Sequence, residues 1–296
     1  MYGAAVDRVS AEWGYAARPD EVRERLRGGN YRAVLLTHNE TSTGVMNPIA
    51  ELVAAVHTEA PDALVLVDSV SALGAVPFAM DEWGVDVVVT GSQKAWMAAP
   101  GLAMVAASAR AWAAMETARM PRFYLDLRKH RDSATSGETP WTPAIAVVYQ
   151  VDEGLRLMAA EGAESIFGRH RACAAATRAG LEALGFYLFA DPADRSTTVT
   201  AAWIPDGLDW KAFNGEVKLR AVVLAGGQGK LAGRIFRVGH LGSVTVDEIL
   251  GAIATLEAVS IEAGRPVQAG AGVAAAQVAA LASLAAGPQP AVPAGA

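Results

Sequence analysis

Along the first hundred residues, short apolar runs alternate with polar clusters and then with apolar positions at helical spacing. Three runs stand out: 33–37 (AVLLT), 63–67 (ALVLV) and 86–90 (DVVVT). They are β-branched and apolar nearly throughout, the pattern of parallel strands covered on both faces. Between the first two, Ile49, Leu52, Val53 and Val56 fall on one helical face, with Asn47 and Pro48 placed as an N-cap and first-turn pair. This predicts a crossover helix and a βαβ arrangement. After the third run only residues 91–100 precede another apolar run, 101–107. That is too short for a helical crossover, so an antiparallel return and a mixed sheet are expected.

From Pro143 a long helical pattern (Ile145, Val148, Val151, Leu155, Met158) leads into a second region read as helix, strand, strand, helix, strand, helix. The last of these helices opens with a capping box, Thr245 to Glu248, and carries Ile249, Ile253 and Leu256 on one face. Three parts are expected: a large domain over 1–158, a smaller α/β domain over 159–264, and a tail over 265–296. The tail is mostly Ala, Gly, Pro, Val and Gln with no charge after Arg265, a composition expected to lack fixed structure, save for a short surface helix that residues 273–286 can form.

Length and composition narrow the function classes. The 296 residues are enough for one large or two ordinary domains. With 52% hydrophobic and 19% charged residues the chain is a folding one. A net charge of −6 without a basic run argues against nucleic acid. One cysteine, Cys173, allows no internal disulfide, and no apolar stretch is long enough to cross a bilayer. With no cleavable signal at the start, a cytoplasmic location is expected. The five histidines lack metal-ligand spacing, so no metal site is expected.

Ligands of open α/β sheets collect outside the carboxyl ends of the strands. Here those ends read HNETSTG (38–44), DSVS (68–71) and GSQK (91–94). A hydroxyl cluster, a carboxylate and a lysine on one edge suit an aldehyde cofactor better than a metal. A lysine amine condenses with pyridoxal phosphate, and an aspartate at the pyridinium nitrogen keeps that nitrogen protonated. The glycine-rich stretch 226–230 is not a nucleotide phosphate loop, because Leu231 stands where a magnesium-binding hydroxyl belongs. It reads as a turn lining the site. Cys173 lies inside a helical pattern, where a thiol is usually a small core hydrophobe.

The strings THNETSTGV (37–45), LVDSVSALGAVP (66–77), D-x-W-G-V-D (81–86), TGSQKA (90–95) and GGQGKLAGRIFRVGHLG (226–242) closely resemble, in order and spacing, the class V aminotransferases of the alanine–glyoxylate and serine–pyruvate type. The resemblance runs from Tyr2 to about Gly264. It implies fold type I, the aspartate aminotransferase-like α/β architecture with a mixed, mostly parallel sheet in the large domain and a smaller C-terminal α/β domain. It also implies pyridoxal 5′-phosphate and a homodimer. Position by position, Lys94 resembles the lysine that holds the cofactor and shuttles the proton between the substrate Cα and cofactor C4′. Asp68 resembles the pyridinium partner, Val70 the residue packed under the ring, Thr41 the hydroxyl near the 3′ oxygen, and Gln93 a phosphate ligand. Arg237 resembles the guanidinium that grips the substrate α-carboxylate. In the family a Tyr-x-x-Thr segment reaches the partner subunit's phosphate; here residues 139–142 read Thr-Pro-Trp-Thr, so Thr142 matches and the tyrosine does not.

The resemblance implies ping-pong transfer of an amino group from a small amino acid, alanine or serine, to a small 2-oxo acid, glyoxylate or pyruvate. The opening MYGAAVDRVSAEWG resembles the middle of the family's large domain. An N-terminal segment is therefore expected to be missing, and with it part of the sheet's cover and the helix N-terminus that cradles the phosphate. Two other readings stand beside the first: a truncated, non-catalytic homologue that serves as a dimerisation or binding module, and a lyase or desulfurase on the same cofactor.

Overall fold

The computed structural model describes residues 3–287. A first helix, α1 (Pro19–Leu26), leads into β1 (Ala33–Thr37), and a two-residue-per-arm hairpin, β2 (Asn39–Glu40) and β3 (Val45–Met46), follows directly. Next come α2 (Ile49–Glu59), β4 (Leu64–Asp68), α3 (Met80–Trp83), β5 (Val87–Gly91) and β6 (Ala103–Ala107). The principal sheet has the order β1-β4-β5-β6. β1, β4 and β5 are parallel and β6 returns antiparallel, so the mixed sheet and the short return after residue 91 are as expected.

Cover on this sheet is one-sided. Alternating side chains Val65 and Val67 of β4, with Val88 of β5, pack against Val22 and Leu26 of α1, Leu52, Val53 and Val56 of α2, and Trp83 of α3. The opposite face is less covered: Leu35 is 76% exposed and Val105 is exposed too. The helices α1, α2 and α3 all pack in the same core cluster, so among the described residues the strands read as covered on both faces are well covered on one. Asn47 is also not a helix cap. α2 begins after Pro48 without a side-chain cap, and the Asn47 amide instead accepts from Ala17 N and donates to the Thr37 carbonyl, both at 2.8 Å. It ties the chain before α1 to the end of β1.

After β6 the chain runs through α4 (Ala109–Thr117) and α5 (Leu127–Ala134) to two long helices, α6 (Ile145–Glu161) and α7 (Ala163–Ala183). The smaller domain follows with β7 (Val199–Trp203), α8 (Trp210–Leu219), β8 (Ala225–Gly226), β9 (Ile235–Gly239) and α9 (Val246–Glu262). The strand expected between α7 and β7 is reduced to an isolated bridge, Leu188 to Ala202, so the order is helix, strand, helix, short strand, strand, helix. The antiparallel sheet β7-β9-β8 presents Phe236 to a core shared with Leu181, Phe186, Phe213, Ile253 and Leu256. α7 and α9 approach closely at Gly180, where an added Cβ would lie 2.8 Å from Ile253 Cδ1. The capping box on α9 is present, with Thr245 and Glu248 satisfying each other's backbone N–H groups.

The helix that residues 273–286 are expected to be able to form is present as α10 (Ala271–Ala285), but it is packed on the core and not a surface helix. Its composition is uncharged, which reads as low complexity, but alanine is the best helix former and its small side chain lets helices pack closely. Gly272, Ala276 and Ala280 are buried, and the helix joins the core of α7 and α9. Residues 288–296, the rest of that tail, lie outside the described residues. The Glu257 carboxylate, 8% exposed, accepts from Gly270 N at 2.6 Å and Gly272 N at 2.7 Å, so it caps α10 from α9. Two charge-assisted bonds at a helix start predict that Glu257→Ala costs about 1–2 kcal/mol. It should also lower hydrogen-exchange protection over 271–285 while β4 and β5 keep theirs. Unchanged protection in α10 would show that apolar packing alone holds it.

Candidate active site at the carboxyl edge of the sheet

Parallel register aligns Thr37 with Asp68 and Asp68 with Val89. The segments leaving these strands, 38–46, 69–71 and 92–99, therefore emerge from one edge. Asp68 ends β4 as an exposed carboxylate. One of its oxygens, Oδ1, accepts from Val70 N at 3.0 Å, an Asx turn that leaves Oδ2 without a protein partner among the described residues. Val70 follows, half-buried. Beside it, Ser69 Oγ shares a 2.9 Å hydrogen bond with His38 Nδ1, and the His38 ring lies against Phe78.

Lys94 is half-buried in the turn after β5, and its amine has no hydrogen bond or ion pair among the described residues. The turn itself is held at several points. Ser92 Oγ donates to the Ala99 carbonyl at 2.7 Å and accepts from Leu102 N at 3.2 Å. Trp96 Nε1 donates to Thr90 Oγ1 at 3.0 Å, and Ala99 N donates to Gln150 Oε1 at 2.8 Å. Met97 adopts φ +60°, a costly conformation for a residue with a Cβ, and its N donates to the Lys94 carbonyl at 3.1 Å. Gln93 is exposed. Its amide folds back so far that a Cβ on Gly91 would stand 2.8 Å from Oε1, a contact the exposed end of this flexible side chain can relieve by turning away.

Thr41 sits in the loop between β2 and β3, half-buried. Its carbonyl accepts from Arg237 Nη1 at 2.9 Å, while Arg237 Nε donates to the Gly226 carbonyl, also at 2.9 Å. A β9 guanidinium from the smaller domain thus touches the loop expected to carry the cofactor hydroxyl. Partial burial lowers the Arg237 pKa, and the nearby Glu40 charge opposes that shift. The Thr41 hydroxyl and Arg237 Nη2 have no hydrogen-bond partner among the described residues. Thr142 does not join this group. It lies on an exposed segment ahead of α6, beside Trp141, which stacks on Tyr124.

Several residues that shape the edge were missed by pattern reading. His38 and Asn39 stand inside the HNETSTG string, which was read for its hydroxyls alone. Ser71 accepts from Asn39 Nδ2 at 2.7 Å, and Thr198 of the smaller domain accepts from the same nitrogen at 3.0 Å. Arg169 donates to the carbonyls of Gly242 and Val244, both at 2.8 Å. It thereby holds the turn in which a Gly242 Cβ would meet the Lys94 carbonyl at 3.4 Å. Only the position of Asn39 between an apolar strand and the hydroxyls marked it in the sequence.

The unpaired groups fit pyridoxal phosphate. A free amine, a carboxylate oxygen and a hydroxyl are the donor set that an aldehyde, a pyridinium and a phenolic oxygen need. Cys173 does not supply desulfurase chemistry. It is fully buried in α7, its Sγ lies 3.6 Å from the Val244 carbonyl, and burial pushes the thiol up to about 11, so the reactive thiolate is suppressed.

Two buried histidines near this edge give a pH dependence. His240 Nδ1 donates to the Thr197 carbonyl at 3.1 Å, so the neutral ring accepts from Thr200 Oγ1 through Nε2 at 2.9 Å. Burial lowers His240 to about 3 and His38 to about 4. Both stay neutral in the native state while the unfolded rings protonate near 6.5. Their contribution is therefore complete above pH 6.5 and is lost as pH falls towards 4, with a slope of about 1.4 kcal/mol per pH unit for each ring. Urea unfolding at pH 7, 6 and 5 should show this decline above the range where carboxylates titrate; a flat profile would contradict it.

Comparison with known proteins agrees with this geometry. A family model described as aminotransferase class V matches residues 1–230. An L-aspartate–glyoxylate aminotransferase of Paracoccus denitrificans is 40% identical over 93% of this chain and 71% of its own. The small subunit of a soluble hydrogenase from a Synechococcus strain is 44% identical over 93% and 72%. Among solved structures, the ureidoglycine–glyoxylate aminotransferase of Bacillus subtilis superposes with a TM-score of 0.86 at 31% identity, covering 94% of this chain and 73% of that one. No described helix is long and apolar enough to cross a membrane. The chain belongs to the class V aminotransferases, pyridoxal-phosphate-dependent transaminases of fold type I.

Proposed function

We propose that this chain moves an amino group from a small amino acid, alanine or serine, to a small 2-oxo acid, glyoxylate or pyruvate. The observation that carries the reading is the bond from Arg237 Nη1 to the Thr41 carbonyl, which sets a carboxylate-binding guanidinium against the cofactor loop. Glyoxylate is favoured as acceptor because the names of the Paracoccus and Bacillus relatives both include it.

Pyridoxal phosphate, when bound, supplies an aldehyde and an electron-withdrawing pyridinium. Lys94, whose amine is free, would hold the cofactor at its aldehyde and would afterwards carry the proton between the donor Cα and cofactor C4′. Asp68 Oδ2 would keep the ring nitrogen protonated, Val70 would support the ring, the Thr41 hydroxyl would serve the 3′ oxygen and Gln93 the phosphate. Arg237 orients the donor and acceptor α-carboxylates in turn, a forked pairing that lysine cannot reproduce. Thr142 serves the site of a partner subunit in a homodimer. Its exposure supports this, as do the adjoining exposed rings of Phe123 and Tyr124, which pack on the half-buried Trp141, with Lys129 3.8 Å over the Phe123 ring.

Borohydride treatment with the cofactor, followed by peptide mapping, should place the pyridoxyl group on Lys94; its appearance on Lys129 or Lys230 would overturn the assignment. Alanine, serine and aspartate are then compared as donors to glyoxylate and pyruvate. No turnover with alanine or serine would reject the substrate class.

For Arg237→Lys the expected result is an unaltered spectrum of bound cofactor with kcat/KM lowered roughly 10–100-fold, about 1.5–3 kcal/mol, because the charge stays and the forked hydrogen bonding is lost. Joint loss of cofactor binding and turnover would make Arg237 a structural residue.

A further inference from the structure

We infer that Asn39 is a positioning residue that sets the distance between the two halves of the site: the turn carrying Asp68 and Val70, and the smaller-domain sheet carrying Arg237. The inference rests on the cofactor and substrate roles proposed above and adds a residue to them.

One buried amide makes both connections. Asn39 Nδ2 donates to Ser71 Oγ at 2.7 Å and lies 3.4 Å from the Ser71 carbonyl, and it donates to Thr198 Oγ1 at 3.0 Å. Ser71 Oγ donates back to the Asn39 carbonyl at 3.2 Å. The carbonyl of Ser71 can only accept, so it fixes which end of the amide is the NH2 group. That orientation leaves Asn39 Oδ1 buried without a partner, an arrangement that costs free energy and persists here only with the donor contacts on the other side. Asn39 also shares β2 with Glu40, the residue before Thr41.

Each connection leads to a reacting group over few bonds. Ser71 ends the turn begun by Asp68, whose Oδ1 accepts from Val70 N. Thr198 immediately precedes β7, and β7 pairs with β9 so that Ala201 faces Arg237. The Thr198 carbonyl also accepts from His240 N at 2.9 Å, just beyond the end of β9. A shift of Asn39 thus moves the ring side against the carboxylate side, and small misplacements of a held substrate are costly in rate. Thr198 Oγ1 additionally shares a 3.2 Å bond with Ser196 Oγ, and Ser196 N donates to the Gly44 carbonyl at 2.8 Å. The amide therefore sits within the seam between the two domains.

The test uses three variants of the full chain and two constants: the dissociation constant of pyridoxal phosphate, from absorbance titration of the apoprotein, and the KM of the amino donor. Ser71→Ala removes the ring-side contact and should weaken cofactor binding about fivefold with donor KM little changed. Thr198→Val removes the contact to the smaller domain and should raise donor KM about fivefold with cofactor affinity intact. Asn39→Ala should do both. A purely structural role is separated by melting temperature. Three variants with lower stability and both constants unchanged would overturn the inference, as would Asn39→Ala with wild-type constants. Borohydride labelling away from Lys94 in the wild type would reject the Lys94 assignment while leaving the pattern across the three variants to decide on Asn39.

Discussion

Parallel backbone pairing of β1, β4 and β5 is the constraint on which the rest depends. In a parallel ladder every strand points the same way, so every loop that leaves a carboxyl end leaves from one edge. Thr37, Asp68 and Val89 stand abreast through that register, and the chemistry-bearing segments follow without a long excursion. The antiparallel return of β6 shortens the Lys94 turn enough for Ser92 Oγ to reach both the Ala99 carbonyl and Leu102 N. A longer crossover at this point would have left the lysine on a loop without that internal support.

The second organising feature is the seam between the domains. The hairpin of β2 and β3 belongs by sequence to the large domain, yet Met46 N donates to the Asp194 carbonyl at 2.8 Å and Val45 bridges to Arg195. The buried Asp194 carboxylate accepts from Ala16 N at 2.8 Å and pairs with Arg18 at 2.8 Å, so its desolvation is offset by three donors, two of them on one guanidinium. Gly44 adopts φ +74°, and a side chain there would meet Ala201 N at 3.1 Å. That close approach brings the Thr41 loop onto β7, and with it onto the strand bearing Arg237. A polar seam of this kind joins two separately packed cores.

Local strain lies beside the lysine at Met97, with φ +60°. The Gly242 turn held by Arg169 and Gly154 of α6, where a Cβ would lie 2.4 Å from the Trp96 carbonyl, pack against residues 94–97. Such over-determination holds the backbone that carries Lys94 in place.

The sequence by itself determined the strands β1, β4, β5 and β6, the crossover helix α2, the short return to β6, the capping box of α9 and which polar residues follow the three strand ends, because hydrophobic period and turn chemistry act over a few residues. It also carried the family, through motifs whose spacing is set by that sheet. Only the tertiary structure decided what depends on distant partners. Asn47 reads locally as a helix cap but bonds to Ala17 and Thr37. The uncharged tail reads as unstructured save for a short surface helix, yet Glu257 caps α10 and its small residues pack in the core with α7 and α9. Leu35 reads as covered and stands exposed, since burial is a property of what packs on a face and not of the residue that occupies it. Asn39 could not be assigned from its string at all, because its contacts are with residues 32 and 159 positions away, and separations of that size leave no local pattern to read.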